Sequence, residues 1–255
     1  MKEKSILILI PARFGSSRFP GKPLATLCST PLINHVIQRV EQLSKTRPDL
    51  DIHNCVVTDD DRIKEVVESS GGRCVLVKDE TTSGTDRIKL ALERHFSNKE
   101  WDLVVNVQGD EPMIDPKDLS SLVDFHLNSA YDVTTLYKII SFGAAKSSNQ
   151  VKVVLNPSSG QCLYFSRSII PFDRDESAEE GQFHGHVGVY SFRPSSLIKM
   201  SELSETVLEK RECLEQLRAL ESGMTIGAIE TKNNLIGVDT PEDLKRVEEV
   251  LRETN

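Results

Sequence analysis

Three cations, Arg13, Arg18 and Lys22, fall in one short segment, Pro11-Ala12-Arg13-Phe14-Gly15-Ser16-Ser17-Arg18-Phe19-Pro20-Gly21-Lys22-Pro23-Leu24. The segment follows the apolar run Ile6 to Ile10. A strand that opens into a basic, glycine-containing loop is suited to phosphates. Backbone N–H groups converge on the anion, and Arg and Lys offset the remaining charge. The spacing is neither that of a Walker A loop nor Gly-x-Gly-x-x-Gly. Carboxylates are the natural complement to such a loop. Asp110 and Glu111 sit in Gln108-Gly109-Asp110-Glu111-Pro112, and Asp239 in Gly237-Val238-Asp239-Thr240-Pro241-Glu242-Asp243. Magnesium takes oxygen ligands and needs only one or two protein carboxylates beside substrate phosphates. Each acid also has an ordinary use, in a turn or at a helix N-terminus. Sequence spacing does not show that Asp110 and Asp239 meet.

Other groups carry weaker signals. Ser83-Gly84-Thr85-Asp86-Arg87 leads a helix; it suits a base edge or a phosphate, and equally a plain N-cap. Arg167 and His186 fall on predicted strands, where polar groups usually face solvent; an inward Arg would grip a carboxylate through two parallel hydrogen bonds. Glu215 and Gln216 fall on a helix predicted over 203–220 and have no catalytic signature of their own. Cys213, in the same helix, is expected in the core. No catalytic triad or paired-histidine metal motif is present in the sequence.

Positioning these groups requires alternating strands and helices. Ile6–Ile10 reads as a buried parallel strand. Thr30-Pro31 predicts a cap and first turn for a helix with apolar residues at 32, 33, 36, 37, 40 and 43. A strand follows at 54–58. Asp59-Asp60-Asp61 opens a helix that stops at Gly71-Gly72, and a strand at 74–77 precedes a helix at 85–96. A strong strand at 102–107 runs into Gln108–Pro112, and Asp115-Pro116 starts the next helix. Such alternation predicts an α/β fold with a mostly parallel twisted sheet and helices on both faces. Ligands then bind beyond the carboxyl ends of the strands, where both the basic loop and Gln108–Pro112 lie.

The second half reads differently. Strands at 132–140, 151–156, 162–166 and 186–193 have no long helices between them. Asn156-Pro157-Ser158-Ser159-Gly160 is a hairpin-type turn, and 173–181 is an acidic exposed loop. A strand at 225–230 precedes a last helix opened by Thr240-Pro241. The expectation is one domain over 1–255, with an elaboration over about 132–200.

Composition narrows the partners. The chain has 255 residues, a formal net charge of -8, and 38% hydrophobic and 27% charged residues. A local basic site on an acidic protein points to a small anionic ligand and away from nucleic acid. No apolar run approaches the roughly 20 residues of a membrane-spanning helix, and no secretory leader is evident. The five cysteines are scattered without a Cys-x-x-Cys pair, which predicts reduced thiols and a cytoplasmic location.

In order and spacing, several of these segments together resemble the 3-deoxy-manno-octulosonate cytidylyltransferase (CMP-Kdo synthetase) family. They are Pro11–Leu24, Ser83–Arg87, Val105-Asn106-Val107-Gln108-Gly109-Asp110-Glu111-Pro112, Tyr164-Phe165-Ser166-Arg167, His186-Val187-Gly188-Val189-Tyr190, Leu214-Glu215-Gln216-Leu217-Arg218 and Gly237–Leu244. The resemblance covers nearly the whole chain. It implies a nucleotide-diphospho-sugar transferase-like fold, a β-rich dimerisation subdomain and a homodimer. The implied activity is transfer of CMP from CTP to the sugar acid Kdo for lipopolysaccharide synthesis. It also implies that Arg13, Ser16, Arg18 and Lys22 bind triphosphate, and that Ser83 and Arg87 belong to the cytidine site. The resemblance implies that Asp110 and Asp239 are Mg²⁺ ligands. On the same resemblance Gln108, Arg167, His186, Tyr190, Glu215 and Gln216 are expected to form the sugar-acid pocket. Four positions depart from the family pattern: Phe19 where Leu is common, Thr81 where His is usual, Asp86 where Glu is usual, and Phe172 where Trp is frequent. The alternatives kept open are the 8-amino analogue of Kdo, another sugar acid, and a nucleotide-binding regulator without turnover.

Overall fold

A computed structural model describes residues 3–15, 18–81, 83–174, 183–233 and 235–253. The chain divides into two compact units, 1–121 with 234–255, and 122–233.

The first unit is built on a parallel sheet. Strand β1 (Lys4–Ala12) is buried at every position after Lys4, as a continuous apolar run covered on both faces must be. The short strands β2 (Thr26–Leu27) and β3 (Thr30–Pro31) pair with each other. Helix α1 (Leu32–Thr46) follows, with the residues predicted to face inward all buried. Its cap position is Pro31 and not Thr30, because Thr30 and Pro31 are drawn into β3. Strand β4 (Leu50–Thr58) pairs with β1 and with β5 (Cys74–Leu76). Between them lies α2 (Asp61–Ser69), capped by the Asp60 side chain. Helix α3 (Gly84–His95) is capped by Ser83. Strand β6 (Leu103–Asn106) pairs with the other side of β1, and α4 (Pro116–Leu127) follows.

Within this unit the strand order is therefore β6-β1-β4-β5, with every pair parallel. The chain leaves β1 in one direction and later returns to its opposite side. The connections after β1 and β6 diverge, and a crevice opens at their carboxyl ends. The C-terminal helix (Pro241–Glu253) completes the unit. Val238 and Val247 pack with Leu27 and Leu32, and Phe19 and Met113 lie against them. This apolar cluster carries the far end of the chain to the basic loop.

The second unit is mostly antiparallel. Strand β7 (Val133–Ile140) leads to the single-turn α5 (Phe142–Ala145). Strands β8 (Lys152–Leu155) and β9 (Cys162–Ser166) form the hairpin expected around Asn156–Gly160, with Gly160 at φ +74°. Strand β10 (Phe183–Phe192) pairs antiparallel with β7, and its register shifts between Val187 and Tyr190. Most of the acidic stretch 173–181 lies outside the described residues. Helix α6 (Pro194–Glu202) precedes α7 (Val207–Glu212) and α8 (Gln216–Glu221). Strand β11 (Ile226–Glu230) runs parallel to β7. The C-terminal helix is α9.

The long helix expected over 203–220 is thus two short ones. Cys213 takes a left-handed conformation at φ 50° and ends α7, a geometry costly for non-glycine residues. The turn also exposes Cys213, which overturns its placement in the core.

Candidate active site

Pro11, Ala12 and Arg13 at the end of β1, Gln108, Gly109 and Asp110 beyond β6, and Ser83 and Gly84 at the start of α3 line one cavity of about 180 Å³. Arg18, Lys22, Arg87 and Asp239 complete it. The crevice predicted from the strand order is therefore where the basic loop and the acid turn meet.

Backbone geometry brings the loop there. Gly21 sits at φ +71°, and a Cβ on it would come within 3.0 Å of the Phe14 ring. Its N–H donates to the Phe14 carbonyl at 2.9 Å, which closes the loop and turns Lys22 inward. Gly109 is as constrained: its Cβ would lie 2.9 Å from the Pro11 carbonyl. Only glycine lets the acid turn pass so close to β1.

Asp110 and Asp239, remote in sequence, are brought together. The Val238 N–H donates to the Asp110 carbonyl at 2.8 Å and fixes the two segments side by side. Lys22 Nζ donates to Asp110 Oδ2 at 2.5 Å and to Asp239 Oδ1 at 3.3 Å. Arg18 Nη2 lies 3.1 Å from the same Asp239 oxygen. The helix-cap role that sequence allowed for Asp239 is taken by its neighbours. Thr240 Oγ1 accepts from the Asp243 N–H at 3.2 Å, and Asp243 Oδ2 accepts from the Thr240 N–H at 2.9 Å. The Asp239 carboxylate is left for the cavity.

Four cations and two carboxylates line the cavity, so its field remains positive. Two carboxylates within reach of one ammonium are the donor set that Mg²⁺ accepts together with phosphate oxygens, so these residues fit that ion. Among the described residues no cluster of three or more His, Cys, Asp or Glu forms a metal cage. Ser83 caps α3 by accepting from the Asp86 N–H at 3.1 Å while it lines the cavity. Arg87 is almost fully buried and donates to the Val77 carbonyl and to Asp59. Gln108 Nε2 donates to Asn106 Oδ1 at 3.2 Å. Arg13 is exposed at the rim. Ser16 lies outside the described residues.

The second unit gathers most of the remaining predicted residues. His186 and Tyr190 flank the register shift of β10, with their ring centroids 5.4 Å apart. His186 Nε2 lies 3.0 Å from Thr135 Oγ1, and burial pulls its pKa down to about 3, so the ring is neutral. Burial, with the Glu215 charge nearby, raises the Tyr190 hydroxyl. Gln216 is buried in the first turn of α8, and Glu215 precedes it. Arg167 Nε, Nη1 and Nη2 donate to the carbonyls of Glu212, Ser148 and Cys213. The guanidinium is thereby tied to the turn just before Glu215.

Sequence reasoning passed over two supports of Arg167. Glu212 accepts from the Arg167 N–H at 2.9 Å and from Ser166 Oγ at 2.6 Å. Lys152, fully buried, donates to the Arg167 carbonyl at 2.5 Å. A lysine inside the apolar strand Lys152–Leu155 was the available signal.

A family model described as Cytidylyltransferase matches residues 7–226. A 3-deoxy-manno-octulosonate cytidylyltransferase of Escherichia coli is 39% identical over 242 residues, covering 94% of each chain. The protein of that name from Porphyromonas gingivalis is 37% identical over 255 residues, covering 97% of this chain and 96% of its own. Among solved structures, CMP:2-keto-3-deoxy-manno-octonic acid synthetase complexed with CTP superposes with a TM-score of 0.88 at 36% identity. That match covers 99% of this chain and 100% of the other.

Proposed function

The chain belongs to the cytidylyltransferase family, among its 3-deoxy-manno-octulosonate members, and we propose that it activates Kdo with CTP to give CMP-Kdo and pyrophosphate for lipopolysaccharide synthesis. One observation carries the reading: Asp110 and Asp239 converge on Lys22 beside Arg18, at the crevice formed by β1 and β6.

In the proposed reaction the anomeric hydroxyl oxygen of Kdo forms a bond to the α-phosphorus of CTP. The bond from that phosphorus to its bridging oxygen breaks, pyrophosphate leaves with the electron pair, and the hydroxyl proton is released. Charge is the obstacle, because a carboxylated sugar approaches a polyanion. Arg13, Arg18 and Lys22, with Ser16, would bind the triphosphate, Lys22 exchanging its carboxylate partners for phosphate oxygens. Ser83 and Arg87 would face the cytidine. Asp110 and Asp239 would hold Mg²⁺, which when bound neutralises phosphate charge and lowers the pKa of an attacking hydroxyl. Positioning and pre-aimed charge then supply most of the rate.

For the sugar acid, the neutral His186 and the protonated Tyr190 suit hydroxyl groups better than charges. Among the described residues Arg167 keeps one N–H on each terminal nitrogen beyond its carbonyl partners, enough for a carboxylate. Glu215 and Gln216 would complete that set. A homodimer formed through the second unit is part of the proposal; the exposed side chains of Leu163 and Val207 there support it. Unpaired cysteines fit a cytoplasmic setting.

The test is pyrophosphate release with CTP and Mg²⁺, comparing Kdo, its 8-amino analogue and a sialic acid. Release with Kdo is expected. Thermal stabilisation by CTP and Mg²⁺ without release from any sugar acid would make the protein a nucleotide-binding regulator.

A further inference from the structure

The sequence Asp59-Asp60-Asp61 looks like three acids with one purpose, the opening of α2. The structure separates them. Asp60 caps the helix by accepting from the Arg62 N–H at 2.9 Å, and Asp61 pairs with Lys78 at 2.7 Å on the surface. Asp59 does neither. Its Oδ1 accepts from the backbone N–H of Phe14 at 3.3 Å, and its Oδ2 accepts from Arg87 Nη2 at 3.0 Å. One carboxylate therefore joins the basic loop after β1 to the helix that presents Ser83 and Arg87.

We infer that Asp59 is a positioning residue for the nucleotide, holding the phosphate loop and Arg87 in mutual register without touching the ligand. The inference rests on the reading of this cavity as the CTP site. The surroundings of Asp59 favour such a role. Phe14, whose N–H it receives, is the wall against which Gly21 turns, and the Arg62 guanidinium covers the Phe14 ring at 3.5 Å from its centroid. Fixing Phe14 fixes Arg13 on one side and the Gly21–Lys22 turn on the other. At the other oxygen, the Arg87 side chain is only 6% exposed and has its Nη1 on the Val77 carbonyl. Its remaining direction is set by Asp59. Asp59 does not line the cavity, whereas Arg13, Lys22 and Arg87 do.

Asp59→Asn tests this, because it keeps an acceptor for Phe14 and removes the charge facing Arg87. Losing the charge-assisted hydrogen bond that sets the loop and Arg87 should weaken CTP binding about tenfold, equivalent to about 1.4 kcal/mol. The expected result is a CTP Kd, read by calorimetry with Mg²⁺, about tenfold higher. The KM for CTP should rise in parallel, with kcat at saturating CTP and the KM for the sugar acid nearly unchanged. An unchanged CTP Kd, with only the melting temperature lowered, would reduce Asp59 to a structural residue and overturn the inference.

The pair Arg87→Gln and Asp59→Asn/Arg87→Gln keeps the test decisive if a lone unpaired Arg87 unfolds the single variant. Once Arg87 is gone, losing the Asp59 charge should cost no further CTP affinity; another tenfold loss would contradict action through Arg87. Should wild-type protein bind CTP yet release no pyrophosphate, the proposed activity fails while the Kd comparison still decides the role of Asp59. Wild-type protein that binds no CTP overturns both.

Discussion

Lys22 and Lys152 are both buried lysines, held in opposite ways. Lys22, in the first unit, donates to two carboxylates, of which Asp239 is half exposed. Lys152, in the second, donates to three backbone carbonyls, those of Ser147, Gln150 and Arg167. The partners of Lys22 are side-chain carboxylates at an open cavity, whose place a phosphate oxygen could take. Those of Lys152 are fixed by the fold, and nothing replaces them without unfolding the hairpin. Arg167 repeats the second pattern on three more carbonyls. The first unit thus keeps Lys22 exchangeable, as the proposed phosphate site requires. The second spends Lys152 and part of the Arg167 fork on rigidity, and in the proposed sugar-acid site the rest of that fork would meet the carboxylate while the neutral His186 and Tyr190 would meet hydroxyls.

That contrast can be broken at either end. The largest expected effect lies in the second unit. Glu209 and Arg218 form a buried pair, with Arg218 Nε on Oε2 at 2.8 Å and Nη2 on Oε1 at 2.5 Å. Removing one partner of such a pair costs about 3–5 kcal/mol. Glu209→Ala should therefore show a markedly lower urea midpoint while the remaining folded protein binds CTP with wild-type affinity. A lost CTP affinity at an unchanged midpoint would reverse the assignment of roles.

Next in size, Asp110→Ala and Asp239→Ala should each lower kcat at least about 10²–10³-fold, the usual cost of a pre-aimed charge-stabilising group. Their melting temperatures should hold, because both acids are partly exposed and, among the described residues, are paired at the cavity. Near-normal turnover in either purified variant would refute the metal assignment.

The smallest effect is a pH dependence in the second unit. His126 is fully buried, with Nδ1 at 2.8 Å from Ser191 Oγ and Nε2 at 3.1 Å from the Tyr131 carbonyl. A carbonyl only accepts, so Nε2 carries the proton and Nδ1 accepts from the serine. Burial pulls the pKa to about 4, below the 6.5 of the free side chain. Between those values the unfolded chain binds more protons, so stability is full above pH 6.5 and falls as the pH drops towards 4. The buried His186 acts in the same sense. Melting curves across that range should show the decline, and a His126→Gln variant should show a shallower one. An equal slope in the variant would remove His126 from the account.

What was legible in the sequence was local. Ile6–Ile10 is apolar because β1 is covered on both faces, and that pattern needs no distant partner to be read. The glycine-containing basic loop after β1 was legible in the same way, as a segment suited to phosphates, whereas the close approaches at Gly21 and Gly109 emerge only from the structure. The break at Cys213 was hidden, since a left-handed conformation at a non-glycine residue leaves no compositional trace and the flanking residues are good helix formers. The meeting of Asp110 with Asp239 was hidden for another reason. It depends on the Val238 N–H and on packing of Val238 and Val247 against Leu27 and Leu32, contacts between the two ends of the chain. The resemblance to a family implied the pairing; the topology supplies its cause. Asp59 went unread because three consecutive acids at a helix start already had an adequate local explanation.

The convergence of those two acids with a divalent cation is tested most directly by a crystal structure of the protein with CTP and Mn²⁺, located by its anomalous scattering. The account predicts Mn²⁺ ligated by Asp110 and Asp239, with the triphosphate against Arg13, Arg18 and Lys22. CTP bound with the metal away from both carboxylates, and Lys22 still paired to them, would contradict it.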